Sequence, residues 1–343
     1  MRFSTRKVAL LAVASAAVMA GCHQAPQSDL TFQRGVQLLA AGSPTFAIPL
    51  FMQVITSSPD GPEPHAMLSL AYALDLQADR AVQEAKEARR HRPANDPPGW
   101  EWVALGIAEM TQHRPAEALR HLEEVIAAPR RSPIEWAARQ WRAMALILGG
   151  DHDRAAASLG ELIDHGPTRI TALLWATILH AQQRRTANAS QSLILAAIEA
   201  SAGIGTKLDK DAPAGMNDQG LYDAAVSCLG QGELAKGESL LGILRQRNHD
   251  AGDVAVWLAL LAMVNGQWTA GQEQLKDACQ AGSPQSRALA NHLLGVVYAL
   301  EDRPDLMVQS MVVGQRLLST SSVPVHITSQ PTRDAVWLSD SMK

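Results

Sequence analysis

Cys22 has the plainest chemistry in the sequence: its thiol ends an apolar stretch, Val8 to Val18 followed by Met19-Ala20-Gly21, and precedes polar chain carrying Pro26. A lone thiol at such a boundary is a point for covalent attachment. Asp151-His152-Asp153 is the one compact polar triplet, able in principle to hold a metal weakly. Its place at the start of a helix favours a solvated turn, where acids face the positive helix end. The eleven histidines are scattered, and no two stand four apart with a glutamate between them, as metal ligation along a helix requires. Gly203-Ile204-Gly205 before Lys207 lacks the spacing of a phosphate-binding loop and follows no strand, so it reads as linker. Cys228 and Cys279 are expected to be buried free thiols. No Gly-x-Ser-x-Gly elbow occurs. The sequence therefore names no catalytic residue, no metal ligand and no cofactor.

The residues before Cys22 explain its position. Arg2, Arg6 and Lys7 precede an eleven-residue run of Val, Ala and Leu broken only by Ser15. That run is too short for a bilayer, which needs about 20 apolar residues, and the basic, apolar, small-residue order is that of a secretory signal. Met19-Ala20-Gly21-Cys22 resembles a bacterial lipobox. The resemblance implies a signal peptide over 1–21 that is cut away, acyl chains on Cys22, and a lipidated tether over 22–27. Two or more acyl chains hold a protein to a membrane, since each buried methylene contributes about 0.8 kcal/mol. His23 in place of an aspartate after the cysteine resembles default sorting to the outer membrane, so the expected location is its periplasmic face. Removing three cations and no acid from a chain of formal charge −4 leaves −7. Such an excess of acid argues against nucleic acid as a partner.

Beyond the tether the chain repeats itself every 34 residues. Units are placed at 28–61, 62–95, 99–132, 136–169, 170–203, 218–251, 252–285 and 288–321. Their marks include Gly35, Gly42, Ala47, Phe51 and Pro59 in the first, Tyr72, Ala81 and Pro93 in the second, and Trp102, Leu105, Gly106, Ala118 and Leu122 in the third. The fourth keeps Gly150, Ala155, Leu159 and Pro167, and the fifth Ala189, Leu193 and Ala196. Gly237 and Gly271 mark the sixth and seventh, while the eighth has Leu294, Gly295 and Tyr298 with Met307. Small residues at unit positions 8 and 20 let two antiparallel helices approach, a large apolar residue at 24 fills the space between them, and proline at 32 stops the second helix. Strand patterns are almost absent. A single hairpin cannot bury its apolar face, so neighbours must stack into one continuous core.

This pattern resembles the tetratricopeptide repeat, over about four fifths of the chain. The resemblance implies an all-α, right-handed superhelical solenoid of about eight helix-turn-helix repeats: five over 28–203, a linker loop at 204–217, three over 218–321, and a tail over 322–343 that caps the last repeat or lies on the solenoid. It also implies a concave groove lined by unit positions 2, 5, 9, 12 and 13. These are Trp100, Val103, Ile107, Met110 and Thr111 in the third repeat, Ala137, Gln140, Met144, Ile147 and Leu148 in the fourth, and Asp253, Val256, Leu260, Met263 and Val264 in the seventh. The groove is apolar and lacks the cationic clamps with which chaperone-binding members of the family hold a carboxylate. Trp100 and Trp102 stand one residue apart, and one of the two is expected to be displayed. The leading functional reading is a non-catalytic, lipid-anchored scaffold that binds a protein component of a secretion, pilus or polysaccharide-export machine. The alternatives are an enzyme or activator with its site in the 203–220 loop, and a peptide-binding periplasmic chaperone.

Overall fold

The computed structural model describes residues 27–128, 133–165, 169–184, 186–200, 217–247 and 251–321. The signal peptide, Cys22, nearly all of the 204–217 linker and the 322–343 tail lie outside the described residues. Among the described residues, sixteen helices follow one another with no strand between them. They are α1 Gln27–Ala40 and α2 Pro44–Ser57, α3 Pro62–Leu74 and α4 Ala78–His91, α5 Trp100–Thr111 and α6 Pro115–Ala127, and α7 Pro133–Leu148 and α8 His152–His165. After them come α9 Arg169–Gln182 and α10 Thr186–Ala200, α11 Asp218–Gly230 and α12 Leu234–Gln246, α13 Ala251–Val264 and α14 Trp268–Ala278, and α15 Pro284–Leu300 and α16 Pro304–Ser321. Each odd helix lies against the even helix that follows it, making eight hairpins stacked in series. The protein is an all-α helical-repeat superhelix.

Why the chain turns where it does is written in one position of the period. Gly42, Leu76, His113, Gly150, Arg184, Gly232, Gly266 and Asp302 all have left-handed backbones, with φ from 56° to 79°. Every one is the fifteenth residue of its 34-residue unit. A left-handed residue after a helix lets its own amide and the next one bond back to carbonyls that the helix leaves unused. Thus the amide of Gln77 donates to the Tyr72 carbonyl at 2.8 Å, that of Asp151 to Leu146 at 2.9 Å and that of Arg303 to Tyr298 at 2.9 Å. The second helix then starts at once, three times with proline as its first residue: Pro44, Pro115 and Pro304 begin α2, α6 and α16. A proline there gives up no hydrogen bond.

The small residues sit where the helices touch. A methyl group at Gly35 would come within 2.7 Å of the Phe51 ring, and one at Gly106 within 2.7 Å of Leu122. In the sixth and seventh hairpins the close approach is reversed, with Gly237 on the second helix facing Leu229 and Gly271 facing Met263, both at 2.6 Å. Gly106→Ala is therefore expected to lower stability by about 1–2 kcal/mol, because overpacking outweighs the gain in helix propensity. Gly160→Ala is the control, since nothing lies within 4 Å of a methyl group there. It is expected to raise stability by up to about 1 kcal/mol. Urea unfolding of the two variants side by side checks both signs.

Two features bind the stack beyond these contacts. Between the second and third hairpins, the carboxylate of Glu101 is fully buried and meets Arg92 through Nε at 2.9 Å and Nη2 at 3.1 Å. It also accepts the Gly99 amide at 3.1 Å. The second feature is long-range. The eighth hairpin, while packed on the seventh, also meets earlier ones: α15 lies against α9, and α16 reaches α3 and α5. The turn of the first hairpin docks on α16, where Gln315 Nε2 donates to the Ala40 carbonyl at 3.4 Å and Arg316 Nε to the Gly42 carbonyl at 3.2 Å. A methyl group at Gly42 would lie 2.7 Å from both Arg316 N and Val312 O, so glycine is required there for proximity as well as for φ.

Candidate partner-binding surface

The inner face of the superhelix is apolar, as the repeat pattern implies, but it is occupied by the chain itself. Of the residues expected to line an open groove, Val103, Ile107, Met110, Ala137, Gln140, Met144, Ile147, Val256, Leu260 and Met263 are buried. Trp100, Thr111, Leu148, Asp253 and Val264 are half-buried, and none of the fifteen is exposed. The physical reason is that each of these first helices is covered by several others: α5 by α3, α4, α6, α7 and α16, α7 by α5, α6, α8 and α9, and α13 by α10, α12, α14 and α15. Packing on so many sides removes their apolar side chains from water.

The paired tryptophans follow the same logic. Trp102 is buried, with the Arg89 guanidinium 4.4 Å from its ring centroid and the His121 ring 5.2 Å away. Trp100 is half-buried against the core. Asp253, at a groove position, turns to the neighbouring loop and accepts hydrogen bonds from Ser283 through its amide at 3.0 Å and its hydroxyl at 2.9 Å.

The residues with chemical potential are placed as structural groups. Asp151 precedes α8, where its Oδ1 accepts the Arg154 amide at 3.3 Å and its Oδ2 pairs with the Arg154 side chain. No cluster of three or more metal-ligating side chains occurs among the described residues. Cys228 and Cys279 are both free, the first buried and the second half-buried. Burial pushes the Cys228 thiol up and the Cys279 thiol up to about 11, which keeps both protonated and poorly nucleophilic at neutral pH.

Where the eighth hairpin meets α9 and α14, a cleft of about 300 Å³ remains. Its sides come from three elements: Ala181 at the end of α9, Trp268, Thr269 and Gln272 on α14, and Val297, Leu300 and Glu301 at the end of α15. Gln272 Nε2 donates to Glu301 Oε1 at 3.0 Å, so a polar bridge with one carboxylate spans an apolar lining. Such a cleft can take an apolar side chain while the Glu301–Gln272 bridge orders a donor beside it. Trp268 is the first residue of α14, and the equivalent residues are Pro44, Ala78, Pro115, His152, Thr186, Leu234 and Pro304. A tryptophan among these is a signal visible in the sequence, and the groove positions drew attention away from it.

No protein-family model matches the chain, and no curated protein matches it. Among solved structures, PilW, a type IV pilus biogenesis factor, is similar with a TM-score of 0.46 at 15% identity, covering 65% of this chain and 94% of its own. A tetratricopeptide repeat protein from Parabacteroides merdae aligns with a TM-score of 0.40 at 11% identity, over 79% of this chain and 99% of that one. Yeast Tom70 aligns with a TM-score of 0.43 at 11% identity, over 97% of this chain and 69% of that one. At these scores and identities, nothing about activity, substrate or partner passes from them to this chain.

Proposed function

We propose that this solenoid of tetratricopeptide-type hairpins is a non-catalytic interaction scaffold, held by acyl chains on Cys22 at the periplasmic face of the outer membrane. There it would hold a protein component of an envelope machine of the secretion, pilus or polysaccharide-export kind. The observation that carries the scaffold reading is the Trp268 cleft, an aromatic-walled recess where the end of α9 meets the consecutive helices α14 and α15. Because none of the groove positions is exposed, the partner is placed at this cleft. Trp combines a large contact area with a ring N–H, and such residues dominate binding energies at interfaces. The anchor is supported by the leader and by the resemblance of Met19-Ala20-Gly21-Cys22 to a lipobox.

A photo-crosslinking residue placed at Gln272 in living cells tests the reading. Capture of a defined envelope protein, reduced about tenfold by Trp268→Ala, is the expected result. Absence of any envelope partner, together with substrate turnover by the purified protein, would reverse it. Deleting 204–217 separates the alternative: a scaffold keeps its partner, whereas a site carried on that loop is lost.

A further inference from the structure

The first hairpin breaks a rule that terminal repeats obey. The end of a solenoid has no neighbour to cover it, so its outer face is ordinarily polar. Here Leu30 on α1 is 59% exposed, and Phe46 and Met52 on α2 are 63% and 50% exposed, although the Met52 sulfur also meets the Tyr72 hydroxyl of α3 at 3.8 Å. They are three of the five large hydrophobic side chains exposed among the described residues. The helix between them is unusual as well. α2, Pro44–Ser57, is the one helix among the described residues with no charged side chain. It is not a core helix, since only Pro44, Ala47, Phe51 and Val54 are buried. α1 carries one acid and one base, Asp29 and Arg34, so the hairpin has no net charge within a chain that is acidic overall.

We propose that the exposed, uncharged side of α2 rests on the lipid surface to which Cys22 ties the chain. The inference depends on the reading of Cys22 as the acylated residue. Its argument is one of reach. Cys22 and Gln27, the first residue of α1, are five residues apart. A chain spans at most about 3.6 Å per residue, so α1 begins within roughly 18 Å of the acylated cysteine. Tethering also supplies the affinity that a small patch lacks, because a linker this short sets a local concentration on the order of millimolar. Three partly exposed side chains fall short of the roughly 1,000 Å² that a stable protein interface buries. A tethered lipid contact needs far less, and an uncharged face meets no repulsion from acidic headgroups.

The test uses the acylated, processed protein on vesicles of phosphatidylethanolamine and phosphatidylglycerol, compared with the mature chain made with Cys22→Ser and given the same vesicles. Vesicle flotation and the mass of the N-terminal peptide report the anchor, while hydrogen exchange reports α2. The expected result is that amides of α2 exchange about tenfold more slowly in the anchored protein, a slowing that Phe46→Gln with Met52→Gln removes while flotation is kept. Flotation with no slowing in α2 overturns the proposal and leaves the anchor standing. A mature N-terminus without acyl chains ends both. Slowing that appears without vesicles and grows with protein concentration shows that a second copy covers the face, and also overturns the proposal.

Discussion

Arg92→Met is expected to lower the stability of the protein by about 3–5 kcal/mol, the largest loss from any single exposed-edge substitution argued from this fold. The Glu101 carboxylate has no exposure at all, and among the described residues Arg92 is its cationic partner, with Nε at 2.9 Å. Removing the guanidinium leaves a charge in low dielectric with only the Gly99 amide to solvate it. Arg92 also stands 3.9 Å from Glu63 and 3.9 Å from Asp96, but these acids are exposed enough for water to replace it and add little. The double variant Arg92→Met with Glu101→Gln separates charge from packing. The glutamine oxygen can still accept the Gly99 amide and carries no charge, so most of the loss should be recovered. Urea unfolding of wild type and both variants decides it. A loss under about 1 kcal/mol for the single variant would show that the pair does not join the second hairpin to the third.

Acid should weaken the protein before its carboxylates titrate. His292 is 2% exposed, and its imidazole is pushed down to about 4, because burial disfavours the cation more than a hydrogen bond to the Met311 backbone favours it. His121 is likewise lowered to about 4, by burial first and then by the charges of Arg120 and Arg89. In the unfolded chain both rings return to about 6.5. Between pH values of about 6.5 and 4 the unfolded chain therefore binds protons that the folded chain refuses, and stability falls as pH falls through that window. It is present in full above about 6.5 and its loss is complete below about 4. For His292 alone the drop from pH 7.5 to 4.5 is on the order of 2–3 kcal/mol. His292→Leu should shrink the drop by that amount in urea titrations at the two pH values. Equal drops in wild type and variant would mean that His292 is not responsible.

The hairpins were legible because each is set by local rules. The left-handed residue at unit position 15 recurs eight times, and small residues at positions 8 and 20 meet large ones within a few turns of chain, as Gly106 meets Leu122. Those are contacts between residues about 16 apart, and a periodic sequence displays them. The fate of the inner face is of another kind. Whether Val103 and Met144 line an open groove or a core depends on how the rotation between successive hairpins accumulates over the whole array. That sum brings Gln315 to Ala40, 275 residues away, and no motif of a single unit records it. The cleft was missed for the same reason, since Ala181, Trp268 and Leu300 belong to three different hairpins. Only the oddity of a tryptophan at the start of α14 pointed there.

The clasp between Arg316 and the Gly42 carbonyl bears on how the protein comes apart. An open row of repeats frays from its tips inward, one unit at a time, because each tip has a single neighbour. Here the two tips hold each other, so peeling one strips support from both. Unravelling therefore has no cheap place to begin, and melting should resemble the abrupt collapse of a hoop cut at its buckle more than the slow shedding of a string of beads.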